Sequence, residues 1–315
     1  MERLNYCVRR VLQIIPVLFV ISVVIFFLMR FIGGDPAVMV LGDKATSEAI
    51  AAFHQRAGLD DPLPIQYVRY MRDILHGDLG TSLSVRRPVA ELVAARFPVT
   101  VKLTVLSAFL SILISLPLGY LAGKYKDRPA DQGIRALALV FIAMPSFWVG
   151  LLLMMLFGVR LGWLPAGGWD STNFWTQCKS LLLPALTHSL SLIALLMRDL
   201  RNSVVDISRM DYVDFARSKG IPESEVKGRH IFRNALISYV TLLSIRIAYM
   251  LGGSVITESV FALPGIGKLM IDSIFGRDYA VVQSLVLIFA AMVMVINLLT
   301  DILYSFLDPR VSYHE

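Results

Sequence analysis

Apolar runs of about 20 residues, set apart by short charged segments, constrain this chain more than any other feature, because such a run crosses the roughly 30 Å hydrocarbon core of a bilayer as a helix. Six runs qualify: residues 11–29, 99–122, 136–159, 181–197, 235–256 and 280–303. A soluble protein of this length would bury its core with amphipathic helices or alternating strands, not with separated apolar blocks of about 20 residues. The composition agrees: 56% of the 315 residues are hydrophobic and 17% are charged, against about 25% charged in an ordinary soluble domain. The pattern predicts an all-α polytopic membrane protein with six transmembrane helices.

The runs are unequal. The fourth is short and holds His188; the fifth holds Arg246; the sixth ends with Asn297 and Asp301. A central Arg costs roughly 3 kcal/mol on insertion scales, but each central Leu, Ile, Val or Phe returns roughly 0.3–0.6, so the fifth run still inserts. A cleavable signal peptide is the alternative reading of the first run. Its length, the lack of a small-x-small site after it and the continuation of apolar character at Phe31-Ile32 speak against that.

Orientation follows from the short loops. Arg3, Arg9 and Arg10 precede the first run; Lys124, Lys126, Arg128 and Arg135 follow the second; Arg198, Arg201, Arg209, Arg217, Lys219, Lys227, Arg229 and Arg233 follow the fourth. The opposite loops carry only Arg160 and Lys179, then Lys268 and Arg277. Both termini are thus expected in the cytoplasm. Residues 30–98 contain eight Lys or Arg, but loops longer than about 60 residues escape the rule. This segment is expected outside, with turns at Gly33-Gly34-Asp35-Pro36 and Asp60-Asp61-Pro62-Leu63-Pro64 beside helix-like stretches. The expected organisation is an N-terminal anchor helix over 1–30, a periplasmic segment over 31–98, a transmembrane core over 99–305 with a cytoplasmic loop at 198–234, and a tail from 306 to 315. The two cysteines, Cys7 and Cys178, fall on opposite sides, so no internal disulfide is implied. The net charge of +6 gathers at the ends of the runs, which favours membrane orientation over nucleic-acid binding. The 13 methionines are scattered through the spans and read as packing.

The loop from Asp206 to Asn234 is mixed in charge, rich in helix formers and broken once, at Gly220-Ile221-Pro222. Two short helices are expected. Gly220 suits a left-handed stop for the first, and Pro222 with Glu223 and Glu225 suits the opening turn of the second. Tyr212, Phe215, Ala216 and Lys219 recur at three- and four-residue spacing, forming one face that can dock into a groove. A solvated connector is the plain alternative.

The run Asp211-Tyr212-Val213-Asp214-Phe215-Ala216-Arg217-Ser218-Lys219-Gly220, followed by Arg229-His230-Ile231-Phe232-Arg233-Asn234-Ala235-Leu236, resembles the EAA loop of binding-protein-dependent ABC importer permeases. The letters depart from E-A-A at Asp214-Phe215-Ala216, while Ala216 and Gly220 keep the spacing. Other stretches resemble the dipeptide, oligopeptide and nickel branch of that family: Gly58-Leu59-Asp60-Asp61-Pro62-Leu63 with Gln66-Tyr67, His76-Gly77-Asp78-Leu79-Gly80-Thr81-Ser82, Met144-Pro145-Ser146-Phe147-Trp148, Leu161-Gly162-Trp163-Leu164-Pro165, Glu258 through Gly267, and Asp308-Pro309-Arg310. One departure is Arg277-Asp278-Tyr279-Ala280, where relatives commonly have Pro after Tyr.

The resemblance implies a non-enzymatic inner-membrane permease subunit whose coupling helix meets a cytoplasmic ATPase. The implied contact residues are Tyr212, Asp214, Phe215, Ala216, Arg217, Lys219, Gly220, Arg229, His230, Arg233 and Asn234. Implied partners are a second related permease, two ATPase subunits that bind ATP and Mg, and a periplasmic solute-binding protein; the chain itself needs no cofactor. It contains no G-x-x-x-x-G-K-[ST] loop. In the nearest fragment, Gly265-Ile266-Gly267-Lys268, Ala262 stands at the earlier glycine position and Leu269 replaces the Ser or Thr. The implied cargo is a short peptide or a nickel or other metal chelate, with the 144–169 stretch and the 308–315 tail leaning toward nickel-transporting members.

Ionisable groups inside spans default to functional candidates. His188, Arg246, Glu258, Pro264 and Gly265 are candidates for the path or gate. The plainer readings are a partner acid for Arg246, an interhelical hydrogen bond for His188 and a simple loop for the segment from Glu258 to Gly267, whose Pro264, Gly265 and Gly267 oppose a regular helix. Gly252-Gly253 lets the fifth span approach a neighbour closely, as packing or as a hinge. Two other classes stay open at this point. An intramembrane enzyme would need an H-E-x-x-H or G-x-S-x-G element, which is lacking; an ion-coupled secondary carrier would work without an ATPase, through groups such as His188 and Asp301.

Overall fold

The computed structural model describes residues 2–31, 35–42 and 45–307, without the side chains of 2–11, 36, 39–40, 56–57 and 301–307. The turn at Gly33-Gly34, the ending Asp308-Pro309-Arg310 and the side chains of Cys7 and Asp301 therefore lie outside the described residues. In chain order the helices are α1 (Glu2–Phe31), α2 (Pro36–Leu41), α3 (Ser47–Ala57), α4 (Leu63–Leu75), α5 (Val89–Lys124), α6 (Pro129–Ala143), α7 (Ser146–Leu153), α8 (Phe174–Ile207), α9 (Asp211–Ser218), α10 (Glu223–Glu225), α11 (Arg233–Val260), α12 (Ile266–Phe275) and α13 (Tyr279–Leu307). Wider π-turns continue α7 over Met154–Arg160 and join α10 to α11 over Val226–Phe232.

Among the described residues five helices, α1, α5, α8, α11 and α13, contain stretches long and apolar enough to cross a bilayer. The sixth candidate is not the straight span expected over 136–159. It is the pair α6 and α7 with its π continuation, bent by 104°. Pro145 causes the break: it has no N–H to give, and its ring forces Met144 out of the helical region to ψ 134°. The second helix expected in the 206–234 loop also differs, since it passes through the π-turn into α11 without a break. A third difference lies at Glu258 to Gly267. Glu258 is still within α11, and Gly267 is already within α12, leaving only the turn between them irregular.

The chain divides into two compact units. One takes the described residues up to Thr100 together with Pro264–Leu298. Val89, Leu92, Ile266, Leu269, Val281 and Leu285 form its main core, and Ile25, Met29 and Val282 a smaller one. Its polar ties account for several motif residues. Gln66 donates through Nε2 to the Leu59 and Asp61 carbonyls, at 2.9 and 2.8 Å, closing the turn that follows Gly58. Its Oε1 accepts from Arg30, and the neighbouring Tyr67 hydroxyl meets Ser22 Oγ at 2.8 Å, so α4 is fastened to α1. The buried Asp278 carboxylate accepts from the Ser82 hydroxyl and from the Leu83 and Ser84 amides.

The other unit takes Val101–Leu263 together with the described residues from Leu299 onward. α8 lies at its centre: of the residues in its most apolar stretch, 72% are buried. Its start is fixed by a reciprocal cap, Asn173 Oδ1 accepting from the Thr176 amide and Thr176 Oγ1 from the Asn173 amide. Ser107, Ser111 and Ser115 each return their hydroxyl to the carbonyl four residues back, and Ser115 also meets the buried Tyr239 hydroxyl at 2.8 Å. Each buried hydroxyl in this seam is thereby satisfied.

Gly119 and Gly123 let α5 lie against α8. A Cβ on Gly123 would stand 2.7 Å from the Val204 side chain, and one on Gly119 would stand 3.0 Å from both Leu200 Cβ and the Met197 carbonyl oxygen. This is the small-xxx-small mode of close helix approach in membranes. Gly123→Leu should destabilise the fold by about 1–3 kcal/mol, the usual cost of overpacking. The readout is the thermal unfolding midpoint in detergent; an unchanged midpoint would show that the contact is not tight.

Candidate functional site

The candidate coupling segment begins where α8 ends. α9 is a short helix that stops where the sequence says it should. Gly220 adopts φ +75°, its amide donates to the Arg217 carbonyl at 2.9 Å, and the Ile221 amide donates to the Ala216 carbonyl at 3.3 Å. That pair of bonds around a left-handed residue is a Schellman stop, and only Gly adopts the required φ without strain.

Two side chains seat α9. Val213 and Ala216 are buried against Leu200, Val204, Val226 and Ile231. Ala216, expected on the docking face, therefore points inward. The outward face consists of Tyr212, Phe215 and Lys219, with Tyr212 41% and Phe215 60% exposed. The Lys219 ammonium lies 4.5 Å from the Phe215 ring centroid, so this surface offers an aromatic face and a cation together.

A three-part clip holds α9 to the π-turn. The Tyr212 hydroxyl donates to the His230 carbonyl at 3.1 Å; Asn234 Nδ2 donates to the same carbonyl at 2.7 Å and to the Tyr212 hydroxyl at 3.0 Å. His230 thus takes part through its backbone. Arg217 bridges Asp214, at 2.9 Å, and Glu223, at 3.4 Å. Partial burial works to lower its pKa, but the bonds to Glu223 and Asp214 outweigh that and hold it above the ordinary value. Lys227 pairs with Glu223 and Arg229 with Glu225, while Arg233 is exposed. Exposed ion pairs such as these contribute about 0–1 kcal/mol each, so the apolar seat and the clip decide the geometry. The clip was not legible beforehand: Tyr212 and Asn234 are 22 residues apart, and no helical period links them.

The path candidates are placed as follows. His188, on α8, donates from Nε2 to the Met250 carbonyl at 2.9 Å, and Thr257 Oγ1 lies 3.5 Å from its Nδ1. Gly253 makes room for the ring, since a Cβ there would stand 3.2 Å from His188 Cε1. This histidine ties α8 to α11. Arg246 has a buried Nε with no hydrogen-bond partner among the described residues, and its guanidinium carbon lies 5.9 Å from the Tyr249 ring centroid. Glu258 is fully buried, and its carbonyl accepts from the Leu263 amide at 2.9 Å. Pro264 and Gly265 belong to the other unit, where Gly265 precedes α12 and the Ile266 amide donates to Thr100 Oγ1 at 2.9 Å.

Comparison with known proteins covers nearly the whole chain. Residues 115–313 match the family described as "Binding-protein-dependent transport system inner membrane component", and residues 3–104 match its N-terminal counterpart. A glutathione transport system permease protein of Salmonella paratyphi A is 39% identical over 310 residues, 98% of this chain and 99% of the relative. A putative peptide transport system permease protein of Brucella suis biovar 1 is 38% identical over 309 residues, 97% of this chain and 98% of the relative. Among solved structures, the inward-facing MetNI methionine ABC transporter superposes with TM-score 0.56 at 17% identity, covering 70% of this chain and 97% of that one. An amino acid ABC transporter gives TM-score 0.54 at 20% identity, covering 69% and 94%. These last two speak to the fold alone. The chain belongs to the binding-protein-dependent inner-membrane component family and is a multi-pass permease subunit of an ABC importer in the bacterial inner membrane.

Proposed function

We propose that this permease forms half of a translocation path for short peptides, a class that includes glutathione-like ones, and that α9 transmits ATP-driven movement into its helices. The observation that carries the proposal is the surface of α9: an aromatic and cationic face turned outward on a helix whose other side is fastened to the core. A face that is rigidly seated passes force; a loose loop would absorb it. In this reading the 198–234 segment is cytoplasmic, residues 31–98 face the solute-binding protein, and the second half of the path comes from a related permease. ATP and Mg reside in two ATPase subunits. The substrate class follows from the names borne by the relatives, which are those of glutathione and peptide systems.

The cycle needs two states of the helix bundle and a ligand that distinguishes them. ATP closure of the ATPase pair draws the α9 segments together and opens the bundle toward the loaded binding protein; hydrolysis returns it to the inward-facing state. Arg246 lines the path in this proposal, its guanidinium, whose buried Nε has no hydrogen-bond partner among the described residues, serving a peptide carboxylate. Reconstituted vesicles containing the permease pair, the ATPase subunits and the binding protein test both statements. Peptide uptake should require ATP and both ATPase subunits, and Arg246→Leu should lower uptake of a peptide more than uptake of its C-terminal amide. Uptake driven by a proton gradient without ATPase subunits would overturn the proposal; equal losses for acid and amide would remove Arg246 from it.

A further inference from the structure

We propose that the cavity lined by α5, α6 and α8 is a binding site for one anionic phospholipid. Its volume is about 310 Å³, within the size range of small-molecule sites. Its lining combines apolar side chains, Ala138, Ile142 and Met197 among them, with three guanidiniums, those of Arg135, Arg198 and Arg201. That combination matches one ligand class, an acyl chain joined to a charged headgroup.

The charges in the lining are unbalanced. Arg201 is committed to the buried Asp131, with Nε to Oδ1 at 3.1 Å and Nη2 to Oδ2 at 2.7 Å. Of the other acids near it, Asp127 lies 4.0 Å from Arg201 and 3.6 Å from Lys126, Asp199 accepts from the Ser238 hydroxyl, and Asp206 acts on Arg201 through space. Arg135 and Arg198 are exposed and make no ion pair or hydrogen bond among the described residues, although Arg135 also acts through space on Asp131. Two guanidiniums without a hydrogen-bonded acid among the described residues therefore line one cavity, and a phosphodiester supplies the acceptors they lack.

The position fits a lipid better than a soluble anion. Arg135 immediately precedes the apolar run 136–159, and Arg198 immediately follows 181–197, so both stand at headgroup depth. Leu139 and Ile142, which line the cavity from α6, are 63% and 42% exposed. An acyl chain can enter along α6 while the phosphate stays with the guanidiniums, as in basic pockets between transmembrane helices. The site would anchor α6 beside α5 and α8, a role separate from peptide passage.

The test uses the full-length permease in mild detergent, titrated with phosphatidylglycerol or with phosphatidylcholine of the same acyl chains, and lipid adducts counted by native mass spectrometry. Wild type should bind the first phosphatidylglycerol at least tenfold more tightly than phosphatidylcholine. Arg135→Gln with Arg198→Gln should remove that preference, while the corresponding pair of Lys substitutions should retain most of it. Arg198→Gln alone should fall between wild type and the double variant, which keeps the test decisive if the double variant does not fold. No preference in wild type, or a preference surviving in the Gln variants, would overturn the assignment.

Discussion

Phe215→Asp should leave the permease folded in the membrane and reduce ATP-driven uptake at least tenfold. The ring is 60% exposed and the residues that seat α9 are Val213 and Ala216, so the substitution removes little internal packing. What it removes is the projecting aromatic of the proposed contact. Aromatic anchors of this kind commonly account for about 2 kcal/mol or more of an interface, roughly a factor of 30 in affinity. An Asp at the same place also presents a negative charge beside Lys219, whose ammonium now lies on the ring. The assay is co-purification of the ATPase subunits together with uptake in reconstituted vesicles. Uptake and co-purification both at wild-type level would sink the idea that this face meets the motor. Lys219→Asp is a useful companion, because Lys219 takes part in no ion pair among the described residues, whereas Arg217→Asp would also release the bridge from Asp214 to Glu223.

What the sequence disclosed follows from how far each interaction reaches along the chain. A run of apolar residues carries its own instruction to span a membrane, so the helical class and the helices containing 99–122, 181–197 and 280–303 were legible directly. Gly220 and Pro222 were legible for the same reason, because a left-handed stop and a helix opening are decided within a few residues. Pro145 was visible but read as a motif letter; proline is common in membrane helices, and only its neighbours decide whether it bends a span or breaks it by 104°. Ala216 was assigned to the wrong side of α9 because spacing gives a face, not the neighbour that covers it. The π-turn over Val226–Phe232 has no compositional mark at all. The proposed coupling role of α9 came from family likeness; physics alone gave a short amphipathic helix that could equally have been a connector.

The Asp131–Arg201 pair shows the limit of such reading most clearly, and it supports the second large prediction. The partners are 70 residues apart, and neither was singled out as a pair. In the fold Asp131 is fully buried in the first turn of α6, accepting from Arg201 on α8 and from the Asp127 amide at 2.9 Å. The carboxylate thus joins two helices and also closes the turn between α5 and α6, where Asp127 takes φ +63°. Removing one partner of a buried pair typically costs about 3–5 kcal/mol, because the other is left charged and uncompensated. Arg201 keeps 14% of its side chain exposed, so the lower part of that range applies to Arg201→Leu, which strands the deeper charge. Asp131→Leu should cost less, about 2 kcal/mol, since Arg201 can turn toward water or a lipid phosphate in the cavity. The double variant should fall well short of the sum of the two, with a coupling of about 1 kcal/mol or more. Thermal midpoints of the four proteins in one detergent complete the cycle. Strict additivity would mean that the two side chains act independently and that α6 is held to α8 by apolar packing around Ala138, Ile193 and Met197 alone.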